Sequence, residues 1–528
     1  MSSRLAKSAG VIGLATLTSR LLGLVRDTVL AAVFGASASM QMDAFNVAFR
    51  IPNLLRDLFA EGAMTAAFVP TFTRTLAVSG REAAWRLGSM VMNALLVVTA
   101  GLVVVGIVFA PELTLALTSQ TFTDRPGALD LTSQLTRIML PFLTTLAVAT
   151  AMMGMLNSLR RFFVPSLSPA MFNVASIFSA LVLAPLMPRF GLNPIAGIAI
   201  GTLLGGLGQI LLQWPALRRE GFRYQPLVSF RDPAVREILR LMAPATLGVA
   251  AVQVNVFVNT HLATGQEQGA VSWLQYAFRL MYLPIGIFGV SIATAALPDI
   301  ARHAAAGDLR SIRTDVSRGL RMMLMLNVPA TIGLMVLAEP IVALIFERRA
   351  FMVRDTVATA AALMFYAPGL IGYSAVKIAS PTFYALRDSR TPVIVSLLSI
   401  GVNLGINLIL IRLLGYRGLA LGTAVAALFN AAVLMWLLRE RLGGIEGRRM
   451  TIAFMKITVA SLAMALAAHV TVLWLTAMTP GAGDGAKFVR VFGAIAAALV
   501  VLVGAARLLR IDELSDATAR VAQRFGRR

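Results

Sequence analysis

Long apolar runs alternate with short arginine-rich segments along almost the whole chain. A helix that crosses a bilayer needs about 20 mostly apolar residues. On that measure the pattern predicts fourteen spans, at 10–34, 42–72, 88–110, 132–157, 165–187, 192–215, 239–262, 270–298, 320–346, 357–385, 392–412, 417–438, 450–476 and 487–509. The second, eighth, ninth and tenth are long enough to tilt or protrude. The predicted class is an all-α integral membrane protein. Arg4 and Lys7 ahead of the first apolar run look superficially like a signal peptide, but Arg20 interrupts the run and no small-residue cleavage site follows. The first span is therefore read as retained.

Charge in the connecting segments sets the expected orientation. One alternating set carries Arg74, Arg81 and Arg86; Arg160 and Arg161; Arg218, Arg219 and Arg223; Arg310, Arg313 and Arg318; Arg387 and Arg390; and Arg439, Arg441, Arg448 and Arg449. The other set is poorer, its segments 35–41 and 264–269 hold no Lys or Arg, and its one exception carries Arg348, Arg349 and Arg354. The positive-inside rule makes the rich set cytoplasmic. Both termini then lie in the cytoplasm, as an even number of spans requires. The basic tail after Arg507 is expected to touch anionic lipid.

An internal repeat is visible. Pro141 and Pro165 are 24 residues apart with Arg160 five before the second, and Pro368 and Pro392 are 24 apart with Arg387 five before the second. Further on, Gly197-Ile198-Ala199-Ile200-Gly201-Thr202 matches Gly418-Leu419-Ala420-Leu421-Gly422-Thr423. The two matches in the same order indicate duplication, with spans 1–6 mapping onto spans 7–12. An even number of spans per unit implies parallel repeats related by an axis along the membrane normal. The expected organisation is an N-lobe at 1–218, a C-lobe at 219–445, and two further helices with a tail at 446–528. Two six-helix lobes form a transporter architecture, with the substrate path expected between them and alternating access by rocking.

Composition narrows the chemistry. The chain of 528 residues is 58% hydrophobic and 14% charged, against about 25% charged in soluble proteins. It has no cysteine, and its three histidines, His261, His303 and His469, are far apart in sequence. No Walker loop, metal spacing or nucleophile elbow appears, so no enzyme, cofactor or metal is expected. The net charge of +22 follows membrane topology and not nucleic-acid binding.

The informative charges lie inside the spans. Arg20, Arg26 and Asp27 fall in the first, and Asp43, Arg50, Arg56, Asp57 and Glu61 in the second. A charge at mid-bilayer costs about 2.5–3.5 kcal/mol on insertion scales. That is tolerable where the residue faces a wet cavity, a counter-ion or a ligand, so a mainly cationic cluster predicts an anionic cargo.

Ser19-Arg20-Leu21-Leu22-Gly23-Leu24-Val25-Arg26-Asp27 resembles the first-helix signature of the MurJ (MviN) lipid II flippases, within the multidrug/oligosaccharidyl-lipid/polysaccharide exporter superfamily. Asp43-Ala44-Phe45, Arg50 to Arg56 and Phe59 to Ala63 resemble the second signature, and Tyr276 to Leu280 with Pro284 and Gly286 to Gly289 a third. The likeness spans essentially the whole chain. It implies transfer of lipid II, an undecaprenyl-pyrophosphate carrying a disaccharide-pentapeptide, to the periplasmic leaflet. It also implies a cavity lined by helices 1, 2, 7 and 8, and a lipid-tail groove on helices 13 and 14. Arg20, Arg26 and Arg279 are then the expected head-group ligands, with Arg56 a further candidate. Asp27, Asp43 and Glu61 are gate or salt-bridge candidates.

Arginine suits a pyrophosphate because its planar fork donates paired hydrogen bonds. Local pairing of Arg26 with Asp27 and of Arg56 with Asp57 is the structural alternative, and Arg50 is read as snorkelling. Where some relatives bind sodium through carboxylates, the matching region offers Asn259, Asn403, Asn407 and Thr423, read as helix–helix hydrogen-bonding groups. Flippase activity on another undecaprenyl-linked glycan stays open, as does drug export by a member of the same superfamily. The expected partners are lipid II, membrane lipids and cell-wall synthesis proteins. A monomer suffices.

Overall fold

The computed structural model describes residues 3–57, 62–481, 483–511 and 513. Among these there is helix and no strand. The chain divides into two compact units, one of residues 1–272 with 348–351, the other of residues 273–347 with 352–528. The expected lobe boundary after residue 218 falls within the first unit.

The first unit contains α1 (Ser3–Phe34), α2 (Gln41–Arg56), α3 (Gly62–Val108), α4 (Ala110–Leu117), α5 (Gln120–Thr123), α6 (Ala128–Met139), α7 (Phe142–Ser158), α8 (Phe163–Phe178), α9 (Ala196–Arg219) and α10 (Pro233–Thr264). The sequence separates spans 42–72 and 88–110 by a polar segment, but helix persists through it. Its one interruption is Gly80, at φ +85° and ψ 179°, which divides α3 into two arms. A left-handed φ is cheap only for glycine. Phe68, Phe72, Trp85, Met152 and Met155 form the core between α3 and α7.

The second unit contains most of α11 (Ala270–Pro284), then α12 (Val290–Ala305), α13 (Leu309–Val336), α14 (Ala338–Phe346), α15 (Val353–Tyr366), α16 (Gly369–Ala385), α17 (Arg390–Leu414), α18 (Tyr416–Arg441), α19 (Gly447–Met478) and α20 (Asp484–Leu508). Its core runs from Ile312, Val316 and Leu320 through Ile378 and Leu434 to Ile457 and Ala494. The two C-terminal helices pack on each other, α19 on α13 and α20 on α14.

Several predicted spans prove to be broken helices. Span 132–157 divides at Pro141 into α6 and α7. Span 270–298 passes from α11 through a π turn at 285–289, just after Pro284, into α12. Span 357–385 is α15 and α16, bent by 43°. Proline removes an intrahelical donor and clashes with the preceding turn, so these breaks fall where the sequence puts proline. Among the described residues, nine helices are long and apolar enough to cross a membrane, or ten if α15 and α16 count as one span.

The repeated residues do the same work in each unit. Arg160 and Arg387 both take φ +59°. Each ends a helix by donating its backbone N–H, to Asn157 O at 2.9 Å and to Tyr384 O at 3.0 Å. The next residues, Arg161 and Asp388, donate to Leu156 O and Phe383 O at 2.9 Å. This is the left-handed helix stop, usually built on glycine. A Cβ on Gly197 would lie 2.6 Å from the backbone nitrogen of Ala184, and one on Gly418 would lie 2.3 Å from the carbonyl oxygen of Leu410. Both glycines let two stretches of backbone touch.

At the arginine-rich end of the second unit, Arg321 is held by three acceptors. It donates to Glu513 Oε1 at 2.9 Å, Glu446 Oε2 at 2.9 Å and Ser317 Oγ at 2.7 Å. Donation by Arg321 holds the Glu446 carboxyl below its ordinary value of 4.5. Arg321→Met should therefore lower stability at neutral pH by about 1–3 kcal/mol. A carboxyl with a lowered folded pKa contributes fully above its ordinary value and loses that contribution as pH falls through the folded one. Thermal unfolding of wild type and variant should thus differ most at pH 7 and draw together as pH falls from 4.5 toward the lowered folded value. An equal difference across this range would contradict the assignment.

Candidate functional site

The first unit gathers the helix 1 and helix 2 charges. In α1, Arg20 and Asp27 are seven residues apart, about two turns, and so share one face. Arg26 begins about 100° away, but its guanidinium turns back to Asp27. Nε and Nη2 donate to Asp27 Oδ1 at 2.9 and 2.6 Å. Both side chains are largely buried, at 12% and 8% exposure. The Arg26 guanidinium also lies 5.3 Å from the ring centroid of Phe172 on α8. Phe172 stacks with Phe49 of α2 at 5.7 Å and meets Phe142 of α7 at 5.6 Å. The cation therefore has a carboxylate on one side and an aromatic face on another, both of which stabilise it. Arg20 is half-buried and, among the described residues, makes no hydrogen bond or ion pair. The backbone beside it is fixed, because Asn173 Nδ2 donates to Ser19 O at 3.0 Å.

The same device recurs at the end of α2. Arg56 donates from Nε and Nη2 to Asp57 Oδ1 at 2.9 and 2.7 Å. Asp57 Oδ2 in turn accepts from Gln253 Nε2 of α10 at 3.0 Å. The local pairs weighed from the sequence are present at both positions. Each gives an arginine a neighbour that neutralises it.

Asp43 is 1% exposed. Its carboxylate accepts from the Gly269 N–H at 2.7 Å, the Ser272 N–H at 3.0 Å and the Ser272 hydroxyl at 2.6 Å. Asn46 Nδ2 donates to the same Ser272 hydroxyl at 3.1 Å. Asp43 thus satisfies the free N–H groups where α11 begins, in the favourable orientation for an anion at a helix N-terminus. Glu61, its expected companion, lies outside the described residues.

In the second unit, Arg279 is half-buried on α11, the helix that Asp43 caps. Its neighbour Phe278 joins an aromatic cluster with Tyr282 at 5.8 Å, Tyr366 at 5.5 Å and Tyr373 at 6.4 Å. Tyr373 and Lys377 are one turn apart on α16. Lys377 is exposed and, among the described residues, makes no ion pair or hydrogen bond. Sequence reasoning passed over it, although a lysine within span 357–385 carried the same signal as the arginines. The structure thus places Arg20, Arg26, Arg56 and Asp43 in the first unit and Arg279 in the second.

Among the described residues, no three His, Asp or Glu side chains come together as metal ligands. Two of the asparagines donate along their own helices. Asn259 Nδ2 donates to Asn255 Oδ1 and Asn407 Nδ2 to Asn403 Oδ1, both at 3.2 Å. Both of these bonds run within a helix.

Asp43→Ala should leave the two N–H groups at the start of α11 without an acceptor, a loss of about 1–3 kcal/mol per buried donor. Asp43→Asn keeps one acceptor but turns an amide donor toward donors. Hydrogen exchange at Gly269 and Ser272 should quicken in both variants. Unchanged protection there would show that the carboxylate does not hold this helix end.

Known proteins agree with this architecture. The family model for the lipid II flippase MurJ matches residues 30–491. A relative from Vibrio cholerae, described as a probable lipid II flippase MurJ, is 36% identical over 440 residues, covering 82% of this chain and 83% of the relative. One from Rhizobium meliloti with the same description is 35% identical over 504 residues, covering 94% and 92%. A solved lipid II flippase MurJ in an inward closed conformation superposes with a TM-score of 0.76 at 25% identity, covering 95% of this chain and 99% of that one. The family model spans most of both units, so this chain is a multi-pass membrane protein of the MurJ lipid II flippase family.

Proposed function

We propose that this protein flips lipid II from the cytoplasmic to the periplasmic leaflet of the bacterial inner membrane by alternating access. The observation that carries the proposal is the pairing of Arg26 with Asp27 inside an apolar helix. A cation there needs a counter-charge, and an adjacent carboxylate supplies one while the site is unloaded. A pyrophosphate offers several anionic oxygens to the same fork. It can exchange with Asp27, and Asp27 can reclaim the arginine when the cargo leaves.

In this reading Arg20 and Arg26 bind the pyrophosphate, Arg279 adds a third guanidinium, and Arg56 with its Asp57 partner contributes further along the path. Asp43 is the gate group, since opening the first unit at that point requires α11 to leave its carboxylate. Glu61 is proposed as a second gate residue. Fourteen spans, in two six-helix lobes at 1–218 and 219–445 followed by 446–528, place both termini in the cytoplasm. The protein acts as a monomer, with cell-wall synthesis proteins as its partners.

The membrane potential favours transfer. Moving one charge is worth about 2.3 kcal/mol per 100 mV, so a head group of about two negative charges gains roughly 4–5 kcal/mol on leaving a negative cytoplasm. Collapsing the potential with an ionophore should slow appearance of lipid II at the outer leaflet. An unchanged rate would rule out this driving force.

Depletion of the resident flippase in a bacterium, with rescue by this chain, tests the assignment. Wild type should restore periplasmic exposure of lipid II. Arg20→Ala, Arg26→Ala and Arg279→Ala, inserted at normal levels, should reduce it by about 10- to 100-fold, the worth of one charge-assisted contact. Full activity in all three would show the arginines to be structural. Failure of folded wild type would point to another undecaprenyl-linked glycan as cargo.

A further inference from the structure

Away from the intramembrane arginines, the second unit has an open cleft of about 570 Å³. It is lined by Arg313 of α13, by Trp436, Arg439 and Glu440 of α18, and by Gly443, Gly444, Ile445 and Gly447 where the chain leads into α19. This is the arginine-rich end, cytoplasmic by the topology above.

The loop is shaped to seat a guanidinium. Gly443 and Gly444 take φ +64° and +129°, conformations that favour glycine. A Cβ on Gly444 would stand 3.0 Å from Arg313 Cζ, so the guanidinium occupies the space a side chain would need. Among the described residues Arg313 donates one hydrogen bond, to Gly443 O at 3.4 Å. The Arg439 side chain makes no hydrogen bond or ion pair among the described residues. Neighbouring arginines differ. Arg441 is paired with Asp388, Arg449 with Glu446, and Arg321 with Glu446 and Glu513. Two guanidinia with free donors therefore face one cleft, opposed by the single carboxylate of Glu440.

The apolar part of the cleft points to the ligand class. Trp436 is 63% exposed, one turn before Arg439, and indole side chains favour the boundary between head groups and acyl chains. The helix that starts at Gly447 exposes Ile452, Met455 and Val459 on one face. A free anion would use the arginines and leave this surface unexplained. A basic pocket at a cytoplasmic helix end, next to an exposed indole and an apolar strip, matches a phosphate that carries chains.

We propose that this cleft binds the head group of a membrane glycerophospholipid. Arg313 and Arg439 hold the phosphodiester, Glu440 accepts from the head-group hydroxyl or ammonium, and Trp436 packs on the glycerol and upper acyl chain. The site is separate from the cargo site and holds a resident lipid against the cytoplasmic ends of α13, α18 and α19.

Native mass spectrometry of the full chain in detergent, after delipidation and titration with phosphatidylglycerol or phosphatidylethanolamine, tests the proposal. Retention of the tighter lipid should fall at least tenfold in Arg313→Gln/Arg439→Gln, which loses two charge-assisted contacts each worth about tenfold, and stay unchanged in the control Arg448→Gln. Arg439→Gln alone, at an exposed helix end, serves if the double variant does not fold. Selective loss of phosphatidylethanolamine in Glu440→Gln would identify an ammonium head group, and loss of phosphatidylglycerol a hydroxyl one, both within the proposal. Bromine-labelled lipid should quench wild-type fluorescence more than that of Trp436→Phe. Equal retention in wild type and variants would overturn the proposal. So would full competition by soluble glycerophosphoglycerol, which would make the cleft an aqueous anion site.

Discussion

Much of this structure follows from the cost of placing a cation in an apolar helix. A charge in the hydrocarbon region is unfavourable by several kcal/mol unless something nearby compensates it. Here the compensation is local. Arg26 and Arg56 each bond to the aspartate that follows them, through both Nε and Nη2. The pairing lets each helix carry its charge when no cargo is present. In the proposed function an incoming anion replaces that partner, because a carboxylate and a phosphate accept from the same fork. Phe172 adds an attraction that does not consume a hydrogen-bond donor.

Helix breaks occur in both units. Pro141, Pro284 and the bend between α15 and α16 interrupt spans that length alone would make straight. The π turn after Pro284 follows directly on α11, the helix that carries Arg279 and is capped by Asp43. A carboxylate buried against free N–H groups is a firm hold, yet it consists of three hydrogen bonds and no covalent link. Such a contact suits a gate, because it can be lost and remade as one unit.

How much could be read in advance depended on range. Apolar run length gave the all-helical membrane class, while the helix breaks at Pro141, after Pro284 and at Pro368 emerge from the structure. The repeated Pro–Arg–Pro spacing was legible as pattern, and its physical content is the shared left-handed stop at Arg160 and Arg387. The Arg26–Asp27 and Arg56–Asp57 pairs were legible because partners one residue apart need no fold to meet. Asp43 was visible as a charge, but its acceptor role for Gly269 and Ser272 was not, since those groups lie more than 200 residues away. Helix across 73–87 was missed because polar residues there read as a loop, whereas amphipathic helix continues to Gly80 and beyond. Lys377 was missed because a lone lysine among small residues does not announce a cluster. The cleft at Arg313 is built from separated segments and no local pattern marks it.

The central claim is that the α1 arginines recognise a pyrophosphate by paired donation. Binding of lipid II to the purified protein, compared between wild type and Arg26→Lys, tests it most directly. Lysine keeps the charge and removes the planar fork. Affinity should fall about tenfold or more in the lysine variant, the loss of one charge-assisted hydrogen bond. Equal affinity would mean that charge alone suffices and that the fork of Arg26 plays no part in recognising the cargo.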